Sequence, residues 1–75
     1  MIAFRKRFYD PIGEFSHTAT ITYSKSPAPA GYRLYIDGRL RHTFKEYKHA
    51  LNELDIIIAF RGWRSDPERT AANEH

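Results

Sequence analysis

The dipeptide Asp37-Gly38 constrains this chain most, because it separates two short segments of alternating polar and apolar residues, 32–36 and 39–42. Asp-Gly between strand-like segments is the strongest short-range signal for a β-hairpin. The register of that hairpin depends on the length of its loop. A two-residue loop would place Arg41 opposite Leu34, and arginines would then share a face with aliphatic residues.

A three-residue loop separates the two faces of this hairpin, and we therefore predict that register. It pairs Leu34 with Leu40, and Arg33 with Arg41. The side chains predicted to point inward are Tyr32, Leu34, Leu40 and His42. The side chains predicted to point outward are Arg33, Tyr35, Arg39 and Arg41.

An amphipathic helix is predicted directly after the hairpin. Thr43 and Glu46 have the spacing of a capping box, in which each side chain bonds the backbone amide of the other residue, so the helix is expected to begin at Phe44. Gly62 is typical of the position just beyond a helix. The apolar stripe expected to face the sheet recurs at three- and four-residue spacing and comprises Phe44, Tyr47, Leu51, Leu54 and Ile58.

The last turns of this helix, residues 56–60, are apolar almost all round. One sheet face cannot cover all of these side chains. The interpretations, in order of preference, are further burial under Trp63 and the tail, an interface with a second copy of the chain, or a fifth strand. The candidate homodimer interface comprises Ile56, Ile57, Phe60 and Trp63.

The amino-terminal part of the chain predicts a second hairpin. Residues 2–9 and 14–24 alternate apolar and polar side chains, as strands do. Residues 10–13 favour a type I turn, because a proline is second and a glycine fourth. A four-residue loop there pairs Phe8 with Phe15. Residues 24–31 are expected to form a loop, because two prolines lack the amide that a ladder requires.

Together these elements predict an α+β domain at residues 1–62. It consists of a four-stranded antiparallel meander sheet with one C-terminal amphipathic helix packed on one face (ββββα), followed by a polar, flexible tail at residues 63–75. Seventy-five residues without cysteine exclude disulfides and thiolate metal sites and leave no room for an enclosed cofactor site. No apolar run approaches the roughly 20 residues of a membrane span, so a cytoplasmic protein is expected.

Positive charge is concentrated in the predicted sheet. Residues 1–43 carry seven Lys/Arg and three acids, for a net charge of +4, whereas residues 44–75 carry five Lys/Arg and six acids, for a net charge of −1. Arginines and hydroxyls contact nucleic-acid backbones, and tyrosines stack on exposed bases. The candidate binding residues on the outer sheet face are Arg5, Arg7, Arg33, Tyr35, Arg39 and Arg41.

We therefore expect a small non-enzymatic binding module, with DNA or RNA as its first partner. The alternative is an adaptor or inhibitor that binds an acidic host protein, of the kind found among phage and mobile-element accessory proteins. It would act through the same face or through residues 56–60. A solvated face that is charged only to prevent aggregation is the third interpretation.

One stretch resembles a known family. Tyr32-Arg33, Asp37-Gly38-Arg39 and Phe44 are loosely similar to the last hairpin and the helix start of the amino-terminal DNA-binding domains of phage-type integrases. The likeness covers less than a third of the chain. It implies a sheet backed by a carboxy-terminal helix.

No catalytic or metal-binding constellation is predicted. Glu46, His49 and Glu53 share a helical face, but a metal site needs three or four convergent ligands with partners that orient them. The serines lie outside any glycine-flanked elbow, and the chain contains no glycine-rich phosphate loop. We expect neither an enzyme nor a cofactor.

Overall fold

The structure, a computed structural model, describes residues 1–25 and 30–65. Its elements are β1 (Ile2–Tyr9), β2 (Ser16–Ser24), β3 (Gly31–Ile36), β4 (Arg39–Phe44), α1 (Tyr47–Arg61) and β5 (Arg64–Ser65). The strands form one antiparallel sheet in the order β4-β3-β2-β1-β5. The predicted α+β fold, a four-stranded meander followed by one helix, is confirmed, and a short fifth strand is added to it.

The β3–β4 hairpin closes through a two-residue turn. The backbone angle φ is 54° at Asp37 and 82° at Gly38. Positive φ at both central positions is the type I′ geometry that Asp-Gly favours, because its twist matches that of the flanking strands. Ile36 pairs with Arg39 across this turn. The predicted three-residue loop is therefore wrong.

A β-bulge in β4 separates the two faces beyond this turn. Tyr35 pairs with Leu40 and Leu34 pairs with His42, so Arg41 is an extra residue on β4. Leu34 is fully buried as predicted, but Leu40 lies on the opposite face and is 54% exposed, contrary to the prediction. The bulge prevents Arg41 from facing Leu34, which was the objection to a two-residue loop.

The β1–β2 hairpin has its predicted turn but a different register. The Gly13 amide donates to the Asp10 carbonyl at 2.9 Å, as a turn over these four residues requires. The loop then continues to Phe15, whose carbonyl accepts the Asp10 amide at 3.0 Å. Phe8 consequently pairs with His17. The predicted pairing of Phe8 with Phe15 is wrong, and Phe15 is 64% exposed in the loop.

β3 pairs along its whole length with the second part of β2, from Ala19 opposite Ile36 to Ser24 opposite Gly31. The ends of the predicted loop over residues 24–31 thus belong to strands. Residues 26–29 of that loop lie outside the described residues.

α1 begins later than predicted. Thr43 and Phe44 belong to β4, where Phe44 pairs with Tyr32. A Cβ at Gly31 would lie 2.8 Å from the Phe44 carbonyl oxygen. The absence of a side chain at Gly31 therefore lets the end of β4 lie close to the start of β3. The N-cap is Glu46, which makes no side-chain capping hydrogen bond. The predicted capping box and the helix start at Phe44 are therefore wrong.

The end of α1 is as predicted. Gly62 adopts the left-handed conformation with φ of 71°, and the Trp63 amide donates to the Ile58 carbonyl at 3.1 Å. This six-to-one hydrogen bond is that of a Schellman motif. The turn returns the chain to the sheet, where Arg64 pairs with Tyr9. Residues 63–65, which the sequence assigns to the tail, therefore pack on the domain, and residues 66–75 lie outside the described residues.

The core lies between α1 and the inner face of the sheet. Leu54 of the predicted stripe is buried, and Tyr47, Leu51 and Ile58 pack partly buried against the core. Residues 56–60 are helical, so the fifth-strand interpretation is wrong for them. The buried apolar residues are Phe8, Ala19, Ile21, Leu34, Ala50, Leu54, Ile57 and Trp63.

Two adjacent isoleucines test this packing, because Ile57 is 7% exposed and Ile56 is 63% exposed. Ile57→Ala should lower the free energy of unfolding by about 2–5 kcal/mol, since it leaves a cavity under α1. Ile56→Ala should change it by less than about 0.5 kcal/mol. Urea unfolding of the two variants measures both values. Equal losses at the two positions would contradict the orientation of α1.

Candidate nucleic-acid interface

The sheet surface opposite α1 is formed by the side chains that alternate with the core positions. Because Ile21 and Leu34 are buried against α1, their neighbours on β2 and β3 point to the other side. We call this surface the outer face, and it comprises Ile2, Arg5, Arg7, Tyr9, Ser16, Thr18, Thr20, Thr22, Ser24, Arg33, Tyr35, Leu40, Thr43 and Arg64.

The outer face is organised in cross-strand rows. One row runs Arg5, Thr20, Tyr35 and Leu40 from β1 to β4. Neighbouring positions in such a row are about 5 Å apart. Other rows pair Arg7 with Thr18, Arg33 with Thr22 and Thr43, and Tyr9 with Ser16 and Arg64. Guanidinium groups therefore alternate with hydroxyls and with two tyrosines.

The sheet carries basic residues and no acidic ones. Over the described residues, the five strands contain seven Lys/Arg and neither Asp nor Glu. Four of these basic residues, Arg5, Arg7, Arg33 and Arg64, lie on the outer face. Within residues 1–25 and 30–65, no carboxylate forms a salt bridge with any of the four. Their positive charge is therefore open to an external anion.

The predicted binding residues divide between two surfaces. Arg5, Arg7, Arg33 and Tyr35 lie on the outer face, as expected. Arg39 and Arg41 are exposed, as predicted, but the predicted place of both on the outer face is wrong. Arg39 pairs with Ile36 on the side of buried Leu34, and the bulge places Arg41 beside α1.

Arg64 is a residue of the outer face that the sequence interpretation missed. It was assigned to the polar tail because it follows the helix stop at Gly62. The Schellman motif, followed by a large aromatic residue that must be buried, is the signal that indicates a return to the sheet.

Arg39 and Arg41 line a concavity of about 480 Å³ between the β3–β4 hairpin and the end of α1. We call it the arginine concavity. Its polar and aromatic lining comprises His17, Asp37, Arg39, Arg41, Arg61 and Trp63.

Asp37 connects the floor of the arginine concavity to β2. Its carboxylate lies 2.8 Å from Nδ1 of His17 and accepts the Thr18 amide at 3.0 Å. The Asp37 amide donates in turn to the Thr18 carbonyl at 2.8 Å. His17 stacks on Trp63 with ring centroids 4.5 Å apart. The hairpin turn, β2 and the residue after α1 are thus joined in one network.

The pKa of the Asp37 carboxyl is lowered from its ordinary value of 3.8. Partial burial alone would raise this pKa, because it disfavours the charged form. The hydrogen bonds from His17 and from the Thr18 amide outweigh burial, and the positive charges of His17 and Arg61 act in the same direction. The ionised carboxylate is therefore the form that the fold stabilises.

This lowered pKa predicts a pH dependence of stability. A carboxyl whose pKa is lower in the folded state contributes stability that is fully present above the unfolded pKa and is lost as the pH falls through the folded pKa. Asp37→Asn removes the charge but keeps a residue that tolerates positive φ. The difference in unfolding free energy between wild type and this variant should be largest near pH ~5 and should shrink below about pH 4. Urea unfolding from pH ~5 to ~2 measures it, and a constant difference would contradict the assignment.

The four residues of the predicted homodimer interface are divided between the core and the surface of α1. Ile57 and Trp63 are both 7% exposed and belong to the core. Ile56 is 63% exposed and Phe60 is 89% exposed, one helical turn apart. Only Ile56 and Phe60 of this set are therefore available to a partner on the surface of α1.

The described residues contain no cluster of three or more His, Cys, Asp or Glu side chains that could hold a metal ion. In the same part of the chain, no helix has the length and apolar character needed to cross a membrane. Comparison with protein-family models, with curated proteins and with solved structures gave no match.

Proposed function

We propose that the protein binds nucleic acid through its outer face. The observation that carries this proposal is the sheet without acidic residues, which presents four arginines on one surface. Arginine, serine, threonine and tyrosine side chains are the groups that contact phosphate and sugar. α1 packs on the opposite side of the sheet, and no element of residues 1–25 and 30–65 covers the outer face.

The geometry favours a single strand over a duplex. Five strands at about 4.8 Å spacing are roughly 20 Å wide, whereas the major groove of B-DNA is about 12 Å wide and admits only a two-stranded ribbon. Tyr9 and Tyr35 are half-buried in the sheet and can stack on unpaired bases. Arg5 and Arg7, two residues apart on one strand, can then contact the backbone of the same nucleic-acid strand.

The affinity should depend on salt in a way that tests these contacts. Each phosphate neutralised on a single strand contributes about 0.7 to the slope of log affinity against log salt concentration. The double variant Arg5→Gln/Arg7→Gln should therefore weaken binding and lower the slope by about 1.4. Fluorescence anisotropy with labelled single-stranded DNA and RNA, and with a duplex, measures the slope at several salt concentrations.

The matched control is Lys45→Gln/Lys48→Gln, which removes the same net charge at the start of α1. The Nζ atom of Lys48 lies 3.6 Å from Oε1 of Glu46, at the start of α1 and away from the sheet. This control should leave the slope unchanged. Equal reductions in both double variants would show that net charge alone acts. The absence of binding to DNA and RNA at low salt would favour a face that is charged only to prevent aggregation.

A second candidate function, self-association through α1, is favoured by the exposure of Phe60. Ile56 and Phe60 are four residues apart and therefore lie on one helical face. We propose that they form the centre of a weak homodimer. This pair is what remains of the broader apolar interface expected from residues 56–60.

Sedimentation at increasing protein concentration tests the homodimer. Wild type should shift towards a dimer, and Phe60→Lys should remain a monomer because it places a charge in the contact. Leu40→Lys, which changes an exposed leucine on the outer face, should dimerise like wild type. A wild-type monomer at the highest concentration reached would eliminate the homodimer.

A further inference from the structure

Three arginines converge on the helix side of β4, away from the outer face. Arg39, Arg41 and Arg61 all line the arginine concavity. Among the described residues of this lining, Asp37 is the one acidic side chain. The formal charge of the concavity is therefore +2 with a neutral His17.

A different structural feature places each of these arginines. Arg39 follows the type I′ turn, Arg41 is the bulged residue of β4, and Arg61 is the last residue of α1. Bulges commonly redirect a side chain towards a functional site. Like charges brought together in this way raise the free energy of the fold, and a bound anion removes that cost.

Asp37 does not provide that compensation by itself. Its carboxylate is already bonded to His17 and to the Thr18 amide, both on β2. It contributes one negative charge against three positive ones. The N–H groups of the guanidiniums therefore have no salt-bridge partner among the described carboxylates.

The two aromatic rings that line the concavity are stacked on each other. Trp63 is buried, and the ring of His17 lies nearly parallel to it, with an interplanar angle of 11°. The Arg61 guanidinium carbon lies 5.8 Å from the Trp63 ring centroid. Stacking is thus already satisfied within the protein. What remains for a ligand is a group of planar donors, which match the oxygens of a phosphate in pairs.

We propose that the arginine concavity binds a phosphate group. Arg39 and Arg41 flank Leu40, which ends the row from Arg5 through Tyr35 at the β4 edge of the sheet. A nucleic-acid strand lying along that row would pass this edge and bring a phosphate to the concavity. The phosphate can belong to such a strand, and this alternative rests on the proposed function. It can also belong to a free phosphate compound, and this alternative does not depend on the proposed function.

Inorganic phosphate is the probe for the site itself. Thermal unfolding of the full chain is followed while sodium chloride is replaced by sodium phosphate at constant ionic strength. A saturable rise in Tm is expected, of about 6–11 °C at ten times the dissociation constant. Arg39→Gln/Arg61→Gln should lose this rise. Arg5→Gln/Arg7→Gln, with the same change in charge on the outer face, should retain it.

Arg61 also contacts Trp63, so its replacement can lower stability for an unrelated reason. Arg39→Gln/Arg41→Gln avoids that contact and should lose the phosphate-dependent rise as well. Phosphate stabilises proteins generally by exclusion from their surfaces. An equal rise in wild type and in all three double variants would show only this general effect and would overturn the proposal, as would no rise in wild type.

Single-stranded oligonucleotides distinguish the two sources of phosphate. If the group belongs to the strand, Arg39→Gln/Arg41→Gln should lower the salt slope of binding by about 1.4. If the slope is unchanged while the response to inorganic phosphate is lost, the ligand is a free phosphate compound. If no oligonucleotide binds but the response to phosphate remains, the proposed function fails and the phosphate site stands.

Discussion

The hydrogen bonds between Asp37 and β2 determine how the two halves of this domain fit together. Asp37 sits at positive φ in the two-residue turn between β3 and β4, and both its backbone amide and its carboxylate bond Thr18. Its contact with His17 extends this connection, because His17 stacks on Trp63 directly after the helix stop. The turn, the central strand and the residue after α1 are therefore linked by direct contacts. The position of α1 over the sheet follows from this network as well as from apolar packing.

The two-residue turn also explains the distribution of positive charge. A regular ladder beyond it would place Arg41 opposite Leu34, on the inner face of the sheet. One extra residue in β4 puts His42 in that position and leaves Arg41 beside α1. The turn itself pairs Leu40 with Tyr35 and so places Leu40 on the outer face. Basic residues that would otherwise crowd one surface are thus divided between a broad, open face and a smaller concavity.

The sequence predicts the elements of this fold better than their registers. Asp37-Gly38, Gly62 and the burial of Leu34 and Leu54 follow from local rules, because turn geometry and apolar periodicity act within a few residues. The registers were missed because long-range contacts decide them. The Asp37–His17 contact, for example, joins residues 20 positions apart in the sequence. The pattern from Thr43 to Glu46 resembles a capping box, but ladder pairing of Phe44 with Tyr32 overrides it.

The same limitation applies to the candidate site. Alternation along β1 and β3 correctly places Arg5, Arg7 and Arg33, because these strands keep a period of two at those positions. Alternation fails on β4, because the two-residue turn reverses the predicted faces of Arg39 and Leu40 and the bulge then adds Arg41 as an extra residue. It also says nothing of Arg64 beyond the helix. In the sequence, a bulge and a longer loop both shift the apolar alternation by one residue. Apolar periodicity therefore cannot distinguish the two. Only the conflict between a typical type I′ dipeptide and the pattern of faces indicates it.

The proposed binding of an anion would be coupled to the stability of a sheet of this composition. A domain of 75 residues buries a modest share of its surface and has little stability to spare. Seven basic residues in its strands, without one acid among the described strand positions, lower that stability through their mutual repulsion. A polyanion that binds only the folded chain removes this repulsion and raises the apparent stability by mass action. Salt bridges within the sheet would give the same relief permanently, but they would leave the arginines unavailable to phosphate.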